Sequence, residues 1–172
     1  MATAYKFLPS PVGTLKLVAS PAGLVALLWE NDKPERVRLG ELHEDFSHPV
    51  LQEAERQLRE YFSGDRKEFS VPLDLRGTEF QTKVWRALLT IPFGQTRSYG
   101  EIARQVGVAN GSRAVGAANG RNPVSIIVPC HRAIGANGSL TGFAGGLETK
   151  RFLLALEHEG QDQLDLWRPP AP

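Results

Sequence analysis

The sequence predicts an α/β chain in two parts, antiparallel strands plus a helix followed by a mostly helical unit. Three observations predict it. Two strand-like runs flank a Ser-Pro-Ala-Gly turn near the N-terminus, two capping-box signatures open helices in the second half, and the composition is that of a globular protein. Hydrophobic residues at 41% and charged residues at 23% exclude a disordered or fibrous chain. At 172 residues there is length for one domain or two small ones.

The elements follow in order. Leu15–Val18 and Leu24–Trp29 are strand-like around Ser20-Pro21-Ala22-Gly23, which predicts a hairpin. Pro49 opens a helical pattern with Leu51, Ala54, Leu58 and Phe62 on one face, ended by Gly64. Phe69–Leu73 is extended, and Pro72 makes it an edge strand or a linker. The boundary is expected between Leu75 and Thr78, giving domains 1–77 and 78–160 and a tail 161–172. Thr78-Glu79-Phe80-Gln81 and Ser98-Tyr99-Gly100-Glu101 match capping boxes, the second opening Glu101–Val106. Gly107 supplies a turn, and Ser112–Gly120 is a short helix closed by Gly120 and Pro123. Two short helices around a glycine turn fit a helix-turn-helix and equally any αα-hairpin. Pro123–Val128 reads as a buried strand, Asn137-Gly138 as the turn of a small β-ribbon, and Leu147–His158 as a last helix ending at Gly160.

Charge is unevenly spread. Residues 1–77 sum to −2, residues 78–151 to +6 and residues 152–172 to −3. Seven of the nine cations in the middle segment are arginines, whose forked donors suit phosphate, although a solvated basic surface has the same composition. The Ser112–Gly120 helix is unusual: Ala114, Val115, Gly116, Ala117 and Ala118 are small, with Arg113 alone projecting at its start. Such a surface suits close packing on protein, or entry into a DNA groove with Arg113 inserted in the base stack.

A single cysteine excludes an internal disulfide and any zinc site built on paired cysteines. No secretory signal is visible at Met1–Lys6, and no apolar run nears the roughly 18 residues a bilayer requires, so the expected compartment is the reducing cytoplasm. Cys130 follows Pro129 and precedes His131 and Arg132 inside the basic segment, where positive potential favours thiolate over thiol. Adjacent residues in extended backbone face opposite sides, so His131 is expected to reach Cys130 through a water. Of the few carboxylates available to orient that histidine, Glu157 on the last helix is a candidate. Phe143-Ala144-Gly145-Gly146 forms a glycine-rich loop whose ring can stack on a flat ligand or simply pack.

Pro129-Cys130-His131-Arg132, with Asn122-Pro123-Val124 and Arg113-Ala114-Val115-Gly116 before it, resembles the O6-alkylguanine-DNA alkyltransferase family from about Phe80 to Gly160. The resemblance implies a ribonuclease-H-like N-terminal domain of structural or regulatory role and a winged helix-turn-helix C-terminal domain. It implies direct DNA repair, in which alkyl groups pass irreversibly from O6-alkylguanine (and O4-alkylthymine) to Cys130 after base flipping. By the same resemblance His131 is the general base and Glu157 its orienting carboxylate. Tyr99 assists nucleotide rotation and protonates the leaving base, and Asn122 is a hinge. Arg113 replaces the flipped nucleotide on a minor-groove helix that also presents Ser112, Ala114 and Ala117. Phe143, Ala144, Gly145 and Val128 line the pocket. Phe143 stands where many members have tyrosine and Ala144 where some have serine, so the range of alkyl groups accepted is open. No cofactor and no metal are expected. The expected partner is double-stranded DNA carrying the lesion, bound by a monomer, singly or cooperatively, with no membrane involved. A non-catalytic sensor of alkylated bases, a winged-helix regulator and a cysteine hydrolase are the other classes. Cys130 argues against the first, the Pro-Cys-His-Arg run against the second, and single turnover would exclude the third.

Overall fold

A computed structural model describes residues 3–136 and 143–162, the side chains of 159–162 excepted. The chain divides into two compact units, one running to Arg76 and the other beginning at Gly77.

In the first unit, strands β1 (Thr3–Ser10), β2 (Gly13–Ser20), β3 (Gly23–Leu28) and β4 (Leu42–Glu44) form one sheet in the order β3-β2-β1-β4. The expected hairpin is β2–β3, with Leu17 opposite Leu27 and Ser20 opposite Gly23. β1 and β4 add to it, and β4 runs parallel to β1, so the sheet is mixed rather than purely antiparallel. Helix α1 (Pro49–Phe62) is capped by His48, whose ring nitrogen accepts from the Val50 amide at 3.2 Å. Its buried stripe of Leu51, Ala54, Gln57, Leu58 and Tyr61 belongs to the same unit as the buried Leu8, Leu15, Leu17 and Leu27 of the strands. Each such leucine removed from water contributes roughly 1.5–3 kcal/mol, which outweighs the few tenths that local propensity supplies. The extended segment after α1 meets β3 through Leu24 and Leu73, with the Leu24 amide donating to Pro72 O at 2.8 Å.

The second unit holds α2 (Glu79–Leu88), the two-residue strand β5 (Arg97–Ser98), α3 (Tyr99–Gln105), α4 (Ser112–Gly120), β6 (Ala133–Ile134) and α5 (Leu147–Asp162). Both capping boxes form: Thr78 with Gln81, and Ser98 with Glu101. Val84, Trp85 and Leu88 of α2, Ile102 and Ala103 of α3, and Val115 and Ala118 of α4 supply its core.

Two further expectations differ from the structure. Pro123–Val128 is buried throughout but is no strand. Turn bonds close within the segment instead: Ile127 N donates to Ser125 O at 2.8 Å and Val128 N to Val124 O at 2.9 Å. Ile126 takes a left-handed φ of 73°, a costly conformation for a β-branched residue. A short apolar run looks the same whether it is a ladder strand or a buried series of turns, and here the turns win. Helix α5 runs through Gly160 to Asp162 instead of stopping at the glycine. The expected ribbon around Asn137-Gly138 and the end of the tail lie outside the described residues.

Candidate active site

Pro129 adopts φ −81° and ψ 66°, and the Cys130 amide donates to Val128 O at 2.7 Å, which makes an inverse γ-turn just before the cysteine. A single 3₁₀ turn follows over Cys130–Arg132, closed by the Arg132 amide on Pro129 O at 2.9 Å. Proline supplies the first turn with its fixed φ, and the second turns three consecutive polar side chains inward. Cys130 is 4%, His131 0% and Arg132 6% exposed. The segment then enters β6, paired in parallel with β5 so that Arg97 faces Ala133 and Ser98 faces Ile134. Tyr99, half-buried at the start of α3, therefore comes directly after the strand paired with the one that leaves the cysteine turn.

Helix α5 supplies the carboxylate. Lys150, Leu153 and Glu157 fall three and four residues apart and are its buried face. Glu157 Oε2 lies 2.7 Å from His131 Nε2. The guanidinium of Arg132 forks onto the same carboxylate, Nε to Oε1 at 2.8 Å and Nη2 to Oε2 at 3.0 Å, and its Nη1 donates to Ile91 O at 2.7 Å. Burial alone would raise the Glu157 pKa, but His131 and then Arg132 outweigh it and hold the carboxyl well below its ordinary range. An ionised Glu157 accepts from Nε2–H and so fixes the tautomer that leaves His131 Nδ1 with its lone pair. That Nδ1 is buried and has no hydrogen-bond partner among the described residues. A base and an orienting acid are thus in direct contact, and the nucleophile candidate is the base's neighbour in the chain.

The sequence assigns Lys150 no role and Arg132 only a share in the positive potential around Cys130. Lys150 is fully buried, donates from Nζ to Ala133 O at 2.7 Å, and has its pKa lowered by that burial against the opposing charge of Cys130. Its ammonium sits 5.8 Å from the centre of the half-buried Phe143 ring. Ala144 is exposed, Gly145 half-buried and Val128 buried. Asn122 is fully buried and joins the end of α4 to the cysteine turn: its Nδ2 donates to Val128 O at 2.8 Å and its Oδ1 accepts from the Val124 amide at 3.0 Å.

Ser112, Arg113, Ala114 and Ala117 are exposed together on α4, whereas Val115, Ala118 and Asn119 face inward. A Cβ added at Gly116 would meet nothing within 4 Å. The glycine is therefore not explained by tight packing inside the protein, the blander of the two sequence readings. Among the described residues there is no group of three His, Cys, Asp or Glu able to hold a metal ion, and no helix long and apolar enough to cross a membrane.

Comparison with known proteins adds two family models. Residues 79–159 match the DNA binding domain, and residues 3–75 the ribonuclease-like domain, of 6-O-methylguanine DNA methyltransferase. A Mycobacterium tuberculosis protein named methylated-DNA–protein-cysteine methyltransferase is 52% identical over 155 residues, covering 89% of this chain and 91% of its own. One of the same name from Methanosarcina acetivorans is 49% identical, with 89% and 97% covered. The crystal structure of Mycobacterium tuberculosis OGT in complex with DNA superposes with a TM-score of 0.85 at 48% identity, covering 91% of this chain and 94% of that one.

Proposed function

The chain belongs to the 6-O-methylguanine DNA methyltransferase family, and from that premise we propose that it repairs alkylated DNA by taking the alkyl group onto Cys130. The observation that carries this reading is the buried His131–Glu157 contact of 2.7 Å beside the only cysteine. His131 Nδ1 takes the thiol proton through an intervening water. The thiolate attacks the alkyl carbon, the carbon–O6 bond breaks, and guanine departs with its electron pair while Tyr99 delivers a proton to the base. The product is a thioether that water does not cleave, so each molecule acts once and no cofactor takes part.

DNA is the partner, and the minor groove the surface read. The exposed row of Ser112, Arg113, Ala114 and Ala117, the open side of Gly116 and the +6 charge of residues 78–151 support that reading. Arg113 fills the stack where the base has left, and flipping costs a few kcal/mol that the phosphate contacts offset. Asn122 acts as the hinge, and Phe143 stacks on the extruded base within a pocket completed by Ala144, Gly145 and Val128. The protein works as a monomer in the cytoplasm, residues 1–77 being a structural or regulatory domain and 78–160 the reactive one.

The test is mass spectrometry after incubation with a duplex carrying O6-methylguanine. One methyl group mapped to Cys130, with turnover stopping at one equivalent, is the expected result. The Cys130→Ala variant should bind the duplex and gain no mass; methyl uptake by that variant, or repeated turnover by the parent, overturns the assignment.

A further inference from the structure

Asn119 has no role in the chemistry described so far, yet it sits against the nucleophile. It lies on the inner face of α4 at 4% exposure, and its Nδ2 donates to the carbonyl of Cys130 at 3.4 Å. Its Oδ1 is buried with no hydrogen-bond partner among the described residues. As a packing element this side chain is a poor choice, because one amide atom makes a long bond and the other finds no protein partner. Leucine has the same branched outline, a little larger, and carries no polar atom to satisfy. A half-satisfied buried amide calls for an account in terms of function.

The account lies in what the amide holds. Asn122, three residues further on, donates to Val128 O at 2.8 Å. The end of α4 therefore grips the carbonyls on both sides of Pro129, the residue at the centre of the inverse γ-turn. That turn comes two residues after the left-handed Ile126, the one strained residue of the segment, and no β-ladder holds the backbone between Ile126 and the thiol, so the two asparagine amides supply the restraint. We propose that Asn119 is a positioning residue for Cys130, acting through its backbone carbonyl to keep the sulfur aimed for attack. This rests on the alkyl-transfer reading above and adds a second asparagine to the hinge one.

The parent, Asn119→Leu and Asn119→Asp are compared by methyl transfer from an O6-methylguanine duplex, by thiol alkylation with iodoacetamide across pH, and by thermal midpoint. The leucine variant should melt no lower than the parent yet transfer roughly tenfold more slowly, the scale of loss a small misplacement of reacting atoms brings. The aspartate variant should be slow at neutral pH, and its rate relative to the parent should climb as pH falls, because a protonated carboxyl regains an O–H to donate to Cys130. Parent-like rates in both variants overturn the proposal, as does a loss of rate matched by a fall in midpoint. Should Asn119→Leu not fold, the aspartate ratio decides, and a ratio flat with pH overturns the proposal. A parent that transfers no methyl group defeats the functional reading alone; iodoacetamide, which needs no DNA, still decides the part played by Asn119.

Discussion

The two units use the same residue types to opposite ends. On α1 of the first unit, Arg56 pairs with Glu53 and Glu60 and Arg59 with Glu55, all along the helix surface with the arginines more than half exposed. In the second unit Arg132 and His131 share one carboxylate that is 1% exposed. Two glycines make a similar contrast. A Cβ on Gly23 would come within 2.8 Å of the Pro72 backbone, whereas one on Gly116 would touch nothing. On α1 charges line a solvated surface and Gly23 solves a packing problem. Around Cys130 charge is buried at the cost of its hydration, and at Gly116 the helix surface is left bare.

Four substitutions break or sharpen that contrast. Glu157→Gln should have the largest effect, about 3 kcal/mol or more lost in urea unfolding, because the buried Arg132 is left without its counter-charge. The same variant tests a pH dependence. A carboxyl whose folded pKa lies below its ordinary 4.5 contributes stability that is present above that value and is lost as acid protonates it, so the parent should weaken below about pH 4.5 through this group and the glutamine variant should not. Gly23→Ala should cost roughly 1–3 kcal/mol through overpacking against Pro72 and leave single-turnover methyl transfer unchanged on the folded fraction. Gly116→Ala should do the reverse, raising stability by up to about 1 kcal/mol while weakening duplex binding in a gel-shift titration. Arg56→Ala should leave the thermal midpoint within roughly a degree of the parent, as exposed pairs along a helix do. A large drop there would mean that the surface ladder holds the first unit together after all.

Local signals in the sequence were dependable wherever the structure itself is local. Thr78 with Gln81 and Ser98 with Glu101 start their helices as the capping pattern requires, because both partners lie within one turn. The contact of His131 with Glu157 was legible as one candidate among few carboxylates, and the resemblance pointed to the same pair across 26 residues of chain. What stayed hidden is non-local. β4 is three residues long and exists only because β1 offers it an edge. Arg132, Lys150 and Asn119 look like surface residues until tertiary packing buries them. Pro123–Val128 was misread because burial and extension are separate properties, and an apolar run reports only the first.

The buried carboxylate has one more consequence. Residues 130–132 are consecutive, but the group they depend on arrives 25 positions later, on the last helix of the described chain. During synthesis the cysteine therefore leaves the ribosome roughly 1–5 s ahead of the carboxylate. On the proposed reading a thiol that can be spent only once is activated last, when the chain that carries its partner is finished.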